Sequence, residues 1–140
     1  MKKVYQTDFK GNIKKYGCLF MSLVDIASEI SGVGIRERHI EDLYSSLVHG
    51  GFMNSNCYVL NHTDTLNAVL KYFGSSIRMK YNGARYLDNI NNSWGSNEGS
   101  YQILQVKTPS FSHFRRVRYD PWQPELKFNS VISVRYYSLA

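Results

Sequence analysis

An α+β architecture is what this sequence predicts, and three observations carry it. Apolar residues recur at helical spacing through the first half of the chain. They alternate in strand fashion through the second half, and the two patterns do not interleave as βαβ units would require. The expectation is a single domain over residues 1–140, with N-terminal helices packed on a C-terminal antiparallel sheet.

Residues 1–17 read as an extended arm, with Gly11-Asn12 as a turn signal. From Leu19 the apolar positions Leu19, Phe20, Leu23, Ile26, Ala27 and Ile30 fall on one helical face, with Asp25 and Glu29 on another, and Ser31-Gly32-Val33-Gly34 stops the helix. A second helix over residues 37–48 buries Ile40, Leu43, Tyr44 and Leu47 and ends at Gly50-Gly51, and Asn54-Ser55-Asn56 is a loop. A third helix starts at Asn61-His62-Thr63-Asp64, capped by Thr63 or Asp64, buries Leu66, Val69, Leu70 and Phe73, and stops at Gly74. Strands follow over residues 77–81, ended by the turn pair Asn82-Gly83, and over 101–107, 113–119 and 131–137. Residues 88–100, dense in Asn, Ser and Gly, read as a surface loop.

Composition narrows the class of protein. Apolar residues are 43% and charged residues 20% of the chain, an ordinary globular balance that argues against disorder. The net charge of +6 is spread over small clusters such as Lys14-Lys15 and Arg115-Arg116-Arg118, with no long basic block. Weak attraction to polyanions would rest on charge alone, so nucleic acid is not the expected partner. Eleven tyrosines suit either a tyrosine-rich core or a groove lined by aromatics such as Tyr81, Tyr86, Trp94 and Trp122. No window is apolar enough to cross a membrane, and Met1-Lys2-Lys3-Val4-Tyr5-Gln6 lacks the apolar core of a signal peptide, so the expected compartment is the cytoplasm. Cys18 and Cys57 form no metal-ligand pattern and read as two free thiols, Cys57 as a core residue.

The chemistry lies in Cys18. A thiol attacks as thiolate, and a cysteine at a helix start meets backbone N–H groups and the positive end of the helix dipole, both of which favour the anion. His113, in Ser112-His113-Phe114, would serve as imidazolium partner and then as proton donor to the leaving group. Asp120, in Tyr119-Asp120-Pro121-Trp122, is the first candidate to hold the ring in its productive tautomer, and Gln6 would donate a side-chain N–H to an oxyanion. The blander readings are a buried structural cysteine, a structural strand histidine and an Asp-Pro turn that caps its own backbone. Of the other histidines, His62 at a helix start favours its neutral form, His49 follows a helix, and His39 reads as exposed.

Taken in order, Gln6, Gly17-Cys18, His113-Phe114 and Asp120-Pro121 resemble the papain-like cysteine peptidases, closest to their peptidase C39-like branch. The chain also resembles an uncharacterised spirochaete family of Borrelia type, borne on plasmids and prophage-like elements and known only as a domain of unknown function. The peptidase resemblance implies a papain-like fold, with Cys18 as nucleophile, His113 as base, Asp120 as orienter and Gln6 as oxyanion donor. It implies amide-bond hydrolysis through a thioester on a peptide or peptidoglycan-like substrate, and no metal or organic cofactor.

The spacing leaves the orienter open. Seven residues along a straight strand cover about 23 Å and place the end side chains on opposite faces. Asp120 therefore serves His113 only if the chain turns within Phe114–Tyr119, a stretch without Gly, Pro or Asn. Otherwise Asn129 or Gln123 takes the role, or the scaffold is a catalytically inactive binding module.

Overall fold

In a computed structural model, which describes residues 3–87 and 100–140, helices occupy the N-terminal part of the chain and a four-stranded antiparallel sheet the C-terminal part. The fold class is the α+β class read from the periodicities. A 3-10 turn at Gln6–Asp8 leads into helices α1 (Gly11–Tyr16), α2 (Cys18–Ser31), α3 (Glu37–His49) and α4 (His62–Tyr72). The strands are β1 (Met79–Tyr86), β2 (Tyr101–Lys107), β3 (Ser112–Arg115) and β4 (Ser130–Leu139), in the spatial order β1-β4-β2-β3. None of the helices is long and apolar enough to cross a membrane.

Helix α2 is the spine of the molecule. Phe20, Met21, Leu23, Val24, Ile26 and Ala27 are all buried, so this helix is covered on most of its circumference, and it packs on α4, β2 and β3. Its one fully buried hydroxyl, Ser22, is satisfied by donating to the Cys18 carbonyl at 2.7 Å. Gly32 ends the helix in the left-handed region at φ 73°, a C-terminal cap that suits glycine. Ile40, Leu43 and Leu47 of α3 and Leu66, Val69 and Leu70 of α4 close over the same core, which reaches Ile103 of β2 and Tyr137 of β4. Leu104 and Val106, alternating with Ile103 along β2, belong to a second cluster with Val131, Val134 and Tyr136.

Four local readings are corrected. The arm before Cys18 is not extended throughout, because α1 fills Gly11–Tyr16. Only Ile13 of that helix is buried, so it shows no apolar period. The cap of α4 is Asn61, whose side chain accepts from the Asp64 N–H at 2.9 Å. Asn82-Gly83 does not turn a hairpin. It forms an irregularity inside β1, where the pairing with β4 slips between Tyr81 and Gly83 and Gly83 takes φ 100°. Residues 113–119 are not one strand, because β3 stops at Arg115. Of the expected loop over 88–100, residues 88–99 lie outside the described residues.

Gly17 joins α1 to α2 and is dictated by contact rather than by backbone angle. Its N–H donates to the Ile13 carbonyl at 2.9 Å, and a Cβ built on it would sit 2.4 Å from that same oxygen. Gly17→Ala is therefore expected to cost about 1–3 kcal/mol by forcing the two helices apart, read as a lowered midpoint in thermal unfolding. An alanine variant as stable as the parent would contradict this packing.

Candidate active site

β3 runs along the edge of the sheet against β2, with His113 opposite Val106 and Arg115 opposite Leu104. Directly after it the chain reverses in a two-residue turn at Val117-Arg118. The Arg116 N–H donates to the Tyr119 carbonyl at 2.8 Å, and the two residues form an isolated antiparallel bridge. Neither turn residue has a positive φ, so no Gly or Asn is required there. The reversal changes the geometry of the seven-residue spacing. Counted from the Arg116–Tyr119 bridge, His113 lies three residues back and Asp120 one residue on, which gives both the same parity and one shared face. The pair is a cross-strand diagonal, and its Nε2–Oδ1 distance is 2.6 Å.

Arg115 holds this turn. Its Nε donates to the Arg116 carbonyl and its Nη2 to the Val117 carbonyl, both at 3.0 Å. Its Nη1 reaches Glu125 Oε1 at 2.5 Å and lies 3.7 Å from Asp120 Oδ2. The guanidinium thereby supplies the order that the sequence of the turn lacks. Arg115 is the important residue that residue-type reasoning passed over. It reads as one member of a basic cluster, and only its 5% exposure in the fold marks it out.

Asp120 is buried and saturated with donors. Oδ1 accepts from His113 Nε2 and from the Trp122 N–H at 2.9 Å, and Oδ2 accepts from the Leu126 N–H at 2.9 Å. Burial alone would raise its carboxyl. The hydrogen bonds from His113, Trp122 and Leu126 outweigh burial and hold it below the usual carboxylate range. His113 shows the converse. Burial opposes its charge, but its bonds to Asp120 and Cys18 overcome that and raise it to about 9, so the ring is an imidazolium at neutral pH.

Cys18, the first residue of α2, is half-buried and interacts with the His113 ring. Cys18 and His113 line one cleft of about 440 Å³ together with Gln6, Lys14, Lys15, Tyr16, Phe111, Ser112 and Trp122. Gln6 is 2% exposed. Its Nε2 donates to the Lys14 carbonyl at 2.7 Å, and its Oε1 has no protein partner. The Gln6 backbone N–H donates to the Pro121 carbonyl at 2.6 Å, which ties the N-terminal arm to the residue after Asp120. All four candidates, Gln6, Cys18, His113 and Asp120, are thus brought together.

Other candidates are not. Gln123 and Asn129 are exposed, and the ring nitrogen they would have held belongs to Asp120. Of the proposed aromatic groove, Trp122 lines the cleft, whereas Tyr81 stacks on His62 at 4.4 Å and Tyr86 is 69% exposed on β1; Trp94 lies outside the described residues. His62 meets the Tyr137 hydroxyl at 2.8 Å and is lowered to about 4, first by burial and then by Arg135, so it is neutral. His39 is half-buried against the edges of Tyr72 and Phe73 rather than exposed, and its Nδ1 accepts from the Arg36 N–H. Cys57 is a core residue, 3% exposed, with its thiol pushed up to about 12 by burial and then by Cys18. Among the described residues, no group of His, Cys, Asp and Glu is arranged to hold a metal ion.

No curated protein and no solved structure matches this chain. A family model does match, and it covers Gln6, Cys18, His113 and Asp120 and the whole of the turn that joins the last two. That model spans residues 1–124, so the chain belongs to DUF261, a family of proteins of unknown function.

Proposed function

We propose that this protein is a papain-like cysteine hydrolase that cleaves peptide or amide bonds through a thioester on Cys18. The observation that carries the reading is one cleft that holds both Cys18 and His113, with the His113 ring donating Nε2–H to the buried Asp120 carboxylate at 2.6 Å. An imidazolium kept charged beside a thiol favours the thiolate, and its proton is then available to the departing amine. In the first step the sulfur attacks the carbonyl carbon, the C–N bond breaks, and His113 passes its proton to the amine. In the second step neutral His113 takes a proton from water, the hydroxide adds to the thioester, and the C–S bond breaks to return the Cys18 anion and release the carboxylic acid, which gives its proton to solvent. Asp120 keeps Nε2 as the donor nitrogen through both steps. The second N–H of Gln6 Nε2 and the backbone N–H of Cys18 would serve as the oxyanion donors.

The alternative is an inactive binding module on the same scaffold, favoured by the abundant tyrosines and Asn-rich loops; the short His113–Asp120 spacing that also favours it is spanned by the turn at Val117-Arg118. Peptidoglycan cross-bridges are a candidate substrate, on the basic surface and the phage-like association of the resembling family.

Iodoacetamide at pH 7 should label Cys18 at least tenfold faster than it labels free cysteine. Cys18→Ala should remove that label and any hydrolysis found in a screen of peptides and peptidoglycan fragments. A Cys18 that reacts at the free-cysteine rate, with activity unchanged in the alanine variant, sinks the proposal.

A further inference from the structure

The walls of the cleft indicate what kind of acyl group would reach Cys18. Lys14 and Lys15, in the last turn of α1, stand on one side, and Tyr16, Phe111 and Trp122 supply aromatic surface. Among the described residues no aspartate or glutamate lines this cleft, and the one charge partner of His113 is the Asp120 carboxylate behind it at 2.6 Å. Elsewhere in the hairpin region the charges cancel locally: Arg115 is paired with Asp120 and Glu125, and Arg116 with Asp25 and Glu29. Among the described residues, neither Lys14 nor Lys15 makes an ion pair, and both are exposed. The larger hollow of about 550 Å³ behind α2 is unlike the cleft, because Lys3, Arg116 and Arg118 there face Asp25 and Glu29. The two lysines therefore bring uncompensated positive charge to the cleft that holds the sulfur. The backbone that carries the lysines is anchored, because Gln6 Nε2 donates to the Lys14 carbonyl at 2.7 Å and Gly17 joins α1 directly to α2.

We infer that the cleft selects acidic peptides, with a substrate carboxylate beside the scissile bond facing Lys14 and Lys15 and a flanking apolar side chain on Tyr16, Phe111 and Trp122. This rests on the hydrolase reading above and adds the substrate class to it. Two cations several ångströms from a substrate anion at a solvent-facing site favour it by about tenfold over a neutral isostere, and salt screens the preference.

Alkylation by a charged and a neutral reagent of the same size tests both levels separately. The quantity read is the ratio of the iodoacetate rate to the iodoacetamide rate at Cys18, referred to the same ratio for free cysteine. The expected ratio is about tenfold above that of free cysteine at low salt, and it falls severalfold in the double variant Lys14→Gln/Lys15→Gln and in 0.5 M salt. Both lysines are exposed, so the double variant should fold, which circular dichroism checks. Fast iodoacetamide labelling with the same ratio in the parent and the double variant would overturn the acidic preference and leave the hydrolase reading intact. Labelling by both reagents at free-cysteine rates would remove the hydrolase reading and the acidic preference with it.

Discussion

Asp120→Ala should be the most damaging single substitution in the site, costing about 3–5 kcal/mol of folding stability. The carboxylate is 5% exposed and receives His113 Nε2, the Trp122 and Leu126 backbone N–H groups and the nearby Arg115 guanidinium. Removing it strands the His113 ring and two amide donors away from water, and the penalty is their desolvation rather than the net worth of the bonds. The pair also sets a pH window. Asp120 is depressed in the fold, so its contribution is present above the ordinary carboxyl value of 3.8 and is lost as pH falls through its lower native value. His113 is raised from 6.5 to about 9, so its contribution, about 3 kcal/mol, is full below 6.5 and disappears as pH climbs through 9. Thermal unfolding of the parent should therefore weaken between pH 6.5 and 9, and the gap between the parent and Asp120→Asn should narrow over the same range. An alanine variant that loses less than about 1 kcal/mol would mean that the carboxylate is not the keystone described.

The uneven legibility of the site follows from where its information sits. Cys18 at a helix start is readable because Phe20, Leu23 and Ala27 repeat at helical spacing immediately after it. The 101–107 strand is readable to the residue because β2 is a short apolar run buried on both faces, with Ile103 in one cluster and Leu104 and Val106 in the other. The His113–Asp120 contact is not readable from spacing, because the turn between them carries Val117 and Arg118, which no turn rule favours. That turn is specified by the Arg115 guanidinium, which binds two of its carbonyls, and by Tyr119, whose hydroxyl donates to the Val4 carbonyl at 2.8 Å. These are tertiary contacts, and local propensity contains no trace of them. The same reason hides α1, which has a single buried side chain, and the interior bulge of β1, where Asn82 donates to Ser138 on the neighbouring strand instead of closing a hairpin.

His113→Gln should slow iodoacetamide alkylation of Cys18 at pH 6–7 by at least tenfold, and slow any peptide hydrolysis by about 10²–10⁴-fold. Charge rather than bulk sets the difference. Glutamine keeps a donor that reaches toward Asp120 and fills much of the same volume, but it cannot carry the proton that stabilises the thiolate and later leaves with the amine. The imidazolium persists until pH rises through about 9, so the advantage of the parent should be greatest near neutrality and close above that value. A merely structural histidine predicts a different profile, in which parent and variant differ by a constant factor at every pH. Parallel rate profiles from pH 6 to 10 would therefore place His113 in the packing of β3 and outside the chemistry. Converging profiles would tie the reactivity of Cys18 to the one ring that the Val117-Arg118 turn locks onto a buried carboxylate.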